Sequence, residues 1–515
     1  MASRYWVGGT ANWDATAGTK WATTSGGAGG AAVPTSSDDV FFDANSGANT
    51  VTIAATSNAL TVNCTGFTGT LTGSSGLTVA GSITLVSGMT FSHSGTITVS
   101  AAATLTSAGK SYTNISFTGT NTKTLADDLN ISGTLSGSST TTINGSFNIN
   151  VNNLTASVSI LKGTGTPKIV MNTNGGTWSS SSIIGIDLDL NANVTISGSV
   201  TYADATNTNA TTLTQVGGVT VTTTGSTLTW NCSGKLNCPT VTWNNLSTTG
   251  AGVKTMLADV TVGGTYTSVG SSAFAGNFIL YAKNVTCNSG TSVSISSGTP
   301  KLKMTTNGGT WSGTGTIAID FYIQANITVS GTVTITTNGI LNYVSGTVTT
   351  TSSTLQIAGS CTIDSNGITW NNVTHTGAAT VTNNSLLTCA TLTFPNAAVT
   401  WTGTSGWTCT TLTNTTITAS RTYTLKSTVT YACTGTTTLQ AVSPSVLINL
   451  VASTASSSAL FNITDSQSLI YVTATDINSS GGSKVYSKRI RPQDLTRTNN
   501  WYNNSDGLFP MFLNL

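Results

Sequence analysis

The chain has 515 residues, 38% of them hydrophobic and 7% charged, with a formal net charge of +2. A single core stops growing at roughly 250–300 residues, so this length demands several domains or one elongated repeat. The small net charge excludes nucleic-acid recognition through bulk electrostatics, and 11 Trp with 38% hydrophobic content exclude a solvated, disordered chain.

All 16 acidic residues are Asp, so a strong helix former, Glu, is missing altogether. Gly occurs 54 times and Pro only 8, while Thr, Ser and Asn fill most of the polar positions. Thr, Val, Ile and the aromatics suit pleated strands, and Gly, Asn and Ser suit the turns between them. The expected fold class is all-β throughout.

Residues 1–45 carry Tyr5, Trp6, Trp13 and Trp21 among glycines, followed by Val33-Pro34 and Asp38-Asp39-Val40-Phe41-Phe42-Asp43. They are read as an N-terminal cap and attachment segment. The opening stretch Met1–Trp13 has no apolar run and is not read as a secretory signal. No stretch approaches the ~20 apolar residues of a membrane helix, so membrane insertion is not expected.

Residues 46–460 alternate short strands with turns. Ser82-Ile83-Thr84-Leu85, Met89-Thr90-Phe91 and Thr96-Ile97-Thr98-Val99 place apolar side chains at every second position, with Ser-Gly turns between them. A long internal repeat decides the topology. Gly165-Thr166-Pro167-Lys168 and Asn174-Gly175-Gly176-Thr177-Trp178 recur 133 residues later as Gly298-Thr299-Pro300-Lys301 and Asn307-Gly308-Gly309-Thr310-Trp311. Tyr112-Thr113-Asn114-Ile115 recurs as Trp243-Asn244-Asn245-Leu246 and as Trp370-Asn371-Asn372-Val373, and Lys123-Thr124 recurs as Lys254-Thr255. Residues 110–242 and 241–369 are two copies of one block, and a third copy begins at 370 and diverges. The copies tolerate small insertions, no linker separates them, and the strand-turn texture runs through both junctions. That is the behaviour of a solenoid, in which each coil touches only its neighbours. The predicted architecture is a right-handed parallel β-helix, with coils stacked about 4.8 Å apart into a rod on the order of 90 Å long. Residues 461–515, with Trp501, Tyr502, Phe509 and Phe512, are read as the C-terminal cap.

The opening string Tyr5-Trp6-Val7-Gly8-Gly9-Thr10, Asn12-Trp13, Val33-Pro34 and Ser36 to Asp43 resembles the first segment of β-helical surface proteins, as do Leu469-Ile470-Tyr471-Val472 and Asn500-Trp501 near the end. The resemblance is to structural and appendage proteins of tailed bacteriophages, of tail-fibre, spike or head-decoration type, and to bacterial adhesin passengers. Adhesins of the autotransporter type would add a signal peptide and a membrane barrel, which favours the phage side. The resemblance implies a protein of the virion, assembled in the host cytoplasm, forming a homotrimer and contacting other virion proteins and host surface glycans. A bacterial cell-surface adhesin and a polysaccharide-degrading tailspike remain as alternatives.

Chemistry-bearing residues are sparse, and neither a catalytic set nor a cofactor or metal site is expected. Asp187 and Asp189 alternate by two and share a face if extended, but the second copy replaces the latter with Tyr322. Asp127 and Asp128 point to opposite faces if extended, and Asp38-Asp39 precede the apparent first strand and cap a turn. His93 and His375 lie in different copies. The eight cysteines show no CxxC spacing and are expected to be mostly free, buried thiols. Lys484, Lys488, Arg489, Arg491 and Arg497 form a basic cluster that reads as a solvated loop. Four repeat-equivalent tryptophans, Trp178, Trp311, Trp243 and Trp370, have two readings: glycan contacts on a lateral face, or fillers of one wide corner of the coil, which their regular recurrence favours.

Overall fold

A computed structural model of the chain describes residues 1–13, 19–204, 211–488 and 495–504. It divides into two compact units, Met1–Gly263 and Gly264–Leu515. Each unit is a stack of short parallel strands, a parallel β-solenoid as the alternation and repeat predict. Among the described residues the only helical segment is the 3-10 turn Ala44–Ser46.

In the first unit the inward side chains form columns. Leu77, Ile97, Ile115, Leu135, Leu154, Trp178 and Ile196 lie in register, each on the next, and all are buried. The rise from one coil to the next takes 18 residues from Ile97 to Ile115 and 24 from Leu154 to Trp178. Each aliphatic rung removed from water contributes about 1.5–3 kcal/mol. Polar Thr, Ser and Asn occupy the alternate, outward positions, which is why strand after strand shows an alternating burial pattern, as in Thr96–Val99 and Ala103–Thr106.

The coils have corners, and the Asn-rich composition is explained there. The nine-residue strand Leu129–Gly137 loses its alternation in the middle, and its ladder with Asn148–Ala156 shifts register between Ile131 and Thr134. At that bend Asn114 Oδ1 of the preceding coil accepts from the Thr134 backbone N–H (2.9 Å). The same device recurs in repeat-equivalent pairs. Asn153 accepts from Thr177 N–H (3.0 Å) and Asn284 from Thr310 N–H (3.0 Å); Asn174 accepts from Asn193 N–H (2.9 Å) and Asn307 from Asn326 N–H (2.8 Å). A turn leaves backbone donors without a ladder partner, and an amide from the neighbouring coil satisfies them. Asn114 and Asn284 both open Asn-x-Ser/Thr triplets, and both side chains are committed to these bonds.

Glycine serves the tightest corners. Gly145 (φ 109°) and Gly165 (φ 85°) lie in register in consecutive coils, and a Cβ on Gly165 would stand 2.2 Å from the Gly145 carbonyl oxygen. Gly165→Ala is expected to lower stability by about 1–3 kcal/mol through backbone strain and this clash. Urea unfolding followed by Trp fluorescence measures it; an unchanged midpoint would show that the corner relaxes freely.

The duplicated block has an unexpected phase. The strand Asn114–Phe117 belongs to the sheet that contains the Ile97 column, and it stacks on Thr96–Val99. Its sequence equivalent, Asn245–Thr249, pairs instead with Thr227–Cys232, in the other long sheet of this unit, which also contains Ile83 and Leu105. One block is therefore a whole number of coils plus one change of sheet. Both sheets accept the same strand because both offer the same alternation.

Residues of the expected N-terminal segment take part in the stack. Ala2–Trp6 runs parallel to Asp38–Phe41, which pairs in turn with Thr61–Asn63. On the other edge of Ala2–Trp6, Tyr5 and Trp6 pair with the antiparallel strand Trp21–Ala22. Beneath them Trp6, Trp13, Trp21, Phe42 and Phe67 pack together, with ring centroids 5.0–5.4 Å apart along the series Trp6–Trp21, Trp21–Trp13, Trp13–Phe42 and Phe42–Phe67.

In the second unit Leu280, Leu302, Phe321, Leu341 and Ile363 make the equivalent inward column. A second column runs Ile335, Ile357, His375, so that an imidazole replaces an aliphatic rung. Near the C-terminus Val485–Lys488 stacks on Trp501–Asn504, and the Trp501 indole N–H donates to Ser479 Oγ (2.8 Å). Phe509 and Phe512 of the expected cap lie outside the described residues.

Candidate functional site

The four repeat-equivalent tryptophans are core residues, and the reading of Trp178, Trp311, Trp243 and Trp370 as glycan contacts is corrected. Each is at most 1% exposed. Trp178 sits between Leu154 and Ile196, Trp311 between Val285 and Val329, Trp243 in register with Val262, and Trp370 with Cys389. The indole N–H groups of Trp178, Trp243 and Trp370 have no acceptor. These rings serve as apolar filler in wide parts of the coil, and no ring face is available to a sugar.

Asp187 and Asp189 do share an outward face, on the strand Asp187–Leu190. Each is ion-paired: Lys162 Nζ lies 3.2 Å from Asp187 Oδ2 and Lys168 Nζ 2.8 Å from Asp189 Oδ2. Asp187 Oδ1 also accepts from Thr212 N–H (2.7 Å). Asp127 and Asp128 tie adjacent coils together: Asp127 accepts from Ser107 and Ala108 N–H, and Asp128 from Asn148 N–H. The strand Asp38–Phe41 starts at Asp38 itself, so Asp38 and Asp39 lie within a strand of the stack and not before it. Asp38 still caps the preceding turn, accepting from Thr35 N–H and Oγ1 and lying 3.6 Å from Arg4, while Asp39 accepts from Thr61 Oγ1.

The repeat-equivalent Lys123 and Lys254 are wholly buried. Lys254 Nζ donates to the carbonyls of Thr249 (3.0 Å), Gly250 (2.8 Å) and Gly252 (3.4 Å), and burial lowers its pKa to about 8. The ammonium satisfies a turn that would otherwise bury bare carbonyls. Sequence reading found the recurrence but not this role.

The outward face of the second unit holds the most distinctive set of side chains. One outward column runs Tyr281, Lys303, Tyr322, Asn342, Asp364; the next runs Lys301, Asp320, Ile340, Thr362, Thr382, Thr402. Lys301 Nζ and Lys303 Nζ lie 5.4 and 5.1 Å from the Tyr322 ring centroid. Both ammoniums are held by the ring's electron-rich face. Neither lysine has an ion-pair partner among the described residues. Asp320 is raised above its usual pKa by burial, partly offset by Lys301. Two coils further on, Asn338, Ile340, Ser360, Thr362, Thr380 and Thr382 line an open groove of about 380 Å³. The Asp189-to-Tyr322 replacement between copies was visible in the sequence, but only as the loss of a carboxylate pair.

Of the basic cluster, Arg497 forms a two-pronged pair with Asp476 (2.6 and 2.8 Å), Lys484 Nζ lies 5.6 Å from the Tyr502 ring centroid, and Arg489 and Arg491 lie outside the described residues. Among the described residues no group of three or more acidic, His or Cys side chains could hold a metal ion, and no helix is long and apolar enough to cross a membrane.

All eight cysteines are unbridged, and all but Cys232 are buried. Burial pushes the Cys64, Cys238, Cys287 and Cys361 thiols up to about 12, so they carry almost no thiolate at neutral pH. A chromogenic disulfide reagent at pH 8 is expected to label Cys232 before Cys64, Cys238, Cys287 and Cys361, which should react only on unfolding. Rapid labelling of several thiols in the folded chain would contradict this core assignment.

The fold and this face define a parallel β-solenoid with an apolar interior and a polar, locally cationic-aromatic exterior. Comparison with family models, curated proteins and solved structures gives no match for this chain.

Proposed function

We propose that the chain is a structural protein of a tailed-bacteriophage particle: an appendage of fibre, spike or head-decoration type that displays a polar surface and attaches to host glycans. The observation that carries this reading is the division of labour along each coil. Inward columns are mostly hydrocarbon, broken by a few buried polar rungs such as His375, and outward columns hold Thr, Asn, Lys and Tyr, so the stack is a stiff support for a surface rather than a shell around a pocket. Asp187 and Asp189 are each tied to a lysine, Lys162 and Lys168, as links between neighbouring strands, which supports a display role over glycan cleavage. Homotrimeric assembly and contacts with other virion proteins belong to the same proposal.

Deleting the coding sequence from the phage tests it. Particles should still assemble with filled heads, but adsorb to host cells more slowly or lose an appendage in negative-stain images. Particles unchanged in composition, shape and adsorption would overturn the reading.

A further inference from the structure

Comparison of the duplicated copies singles out one patch. In the first copy the outward residues Lys162, Lys168, Asp187 and Asp189 pair off, two cations with two anions, for a local charge of zero. In the second copy Lys168 is kept as Lys301 and Asp187 as Asp320. Val170 has become Lys303, Asp189 has become Tyr322, and Lys162 has become Ile295. Two cations now face one anion, for a local charge of +1, and an aromatic ring stands where the second carboxylate was. The ion pair of Lys168 has given way to two ammoniums gathered on one ring, both half-exposed and without an acceptor.

We infer that this patch, Lys301, Lys303 and Tyr322 with the adjoining hydroxyl-lined groove, binds an acidic polysaccharide. The inference rests on the glycan-attachment reading above and names its ligand class. The ring holds the two lysines in place, so less side-chain entropy is lost when they bond a sugar carboxylate. Thr362 and Thr382 continue the Lys301 column, and Asn338, Ser360 and Thr380 line the groove beside them; together they supply donors and acceptors for hydroxyls, with coils about 4.8 Å apart. Asp320 and Asp364 in those columns argue against a dense polyphosphate: duplex DNA carries a charge about every 1.7 Å and would meet both carboxylates. A glycan with one carboxylate per one or two sugars can place its charge at the lysines and leave the aspartates alone.

The test uses the full chain and measures binding to hyaluronan, polysialic acid and neutral dextran by surface plasmon resonance at several salt concentrations. The expected result is binding to at least one acidic polymer and not to dextran, weakening as salt rises. K301A/K303A should weaken it about tenfold or more, since two charge-assisted contacts are lost. K162A/K168A, in the ion-paired copy, should leave it unchanged. K303V/Y322D restores the first copy's Val and Asp at these two positions, a pair that the equivalent strands of the first copy accept, and should abolish binding with an unaltered circular dichroism spectrum. Equal affinity of K301A/K303A and parent, or no preference for acidic over neutral polymer, would overturn the proposal. A chain that decorates particles but ignores acidic glycans removes this site and leaves the appendage reading. A chain that binds them through these lysines yet is missing from particles does the reverse.

Discussion

Trp178→Ala is expected to destabilise the first unit by about 3–5 kcal/mol, the range for removing a large aromatic side chain from a core. The indole is a rung in a column of five aliphatic residues below and one above, in direct register with Leu154 and Ile196, and it has no exposed surface. Deleting it opens a void that neighbouring coils cannot close without breaking their ladders, which are fixed by hydrogen bonds on both sides. Trp178→Phe should cost far less, because the indole N–H has no acceptor to lose. Urea denaturation of the two variants measures the difference. If alanine costs under about 1 kcal/mol, the ring does not fill the core as described. Glycan binding of the Trp178→Phe variant should equal that of the parent, since the ring never meets solvent.

Acid should weaken the second unit through His375. This imidazole lies wholly inside the core, in register with Ile357 and edge-on to Trp401 at 5.3 Å, and neither ring nitrogen has a partner. Burial lowers its pKa from 6.5 to about 3. Between those values the unfolded chain takes a proton and the folded chain does not. Stability is therefore complete above about pH 6.5 and falls as pH drops toward 3. One pH unit corresponds to about 1.36 kcal/mol, so the loss at pH 5 is about 2 kcal/mol. In the first unit His93 gives a change of the same sign, again through burial. Asp38 and Asp476, whose pKa values are lowered, lose their contributions only further down, below the usual carboxylate range. The comparison is His375→Leu against the parent between pH 7 and 5. The variant should show a flatter pH dependence by about 2 kcal/mol; identical slopes would mean that the imidazole is protonated in the fold or reached by water.

The alternation in strands such as Thr96–Val99 was legible because a half-buried strand writes its period of two directly into the sequence. The solenoid was legible from the 133-residue recurrence, since only a stack tolerates insertions at its turns while keeping its strands. The phase of the block was not legible. Tyr112 and Trp243 look equivalent, yet they fall on different sheets, because a sequence repeat records which strands recur and not how many sides the coil has. The cross-coil bonds of Asn114, Asn153 and Asn284 were hidden for a similar reason: they join residues about one coil apart, and a coil's length varies. The tryptophans illustrate a limit of residue type. Recurrence identified Trp178 and Trp311 as a matched pair, but both a sugar platform and a core rung recur. The Lys301, Lys303 and Tyr322 patch was missed because its signal lies in the difference between copies, where Val170 and Asp189 were exchanged, and not in any motif within one copy.

Mass spectrometry of intact particles purified from the infected source culture, combined with immunogold labelling against the chain, tests whether this solenoid is a component of the particle. Peptides spanning both units are expected in the particle fraction, in stoichiometric amounts, with gold on heads, tails or fibres. Peptides confined to bacterial cell envelopes, with unlabelled particles, would contradict it and place the chain on a cell surface instead.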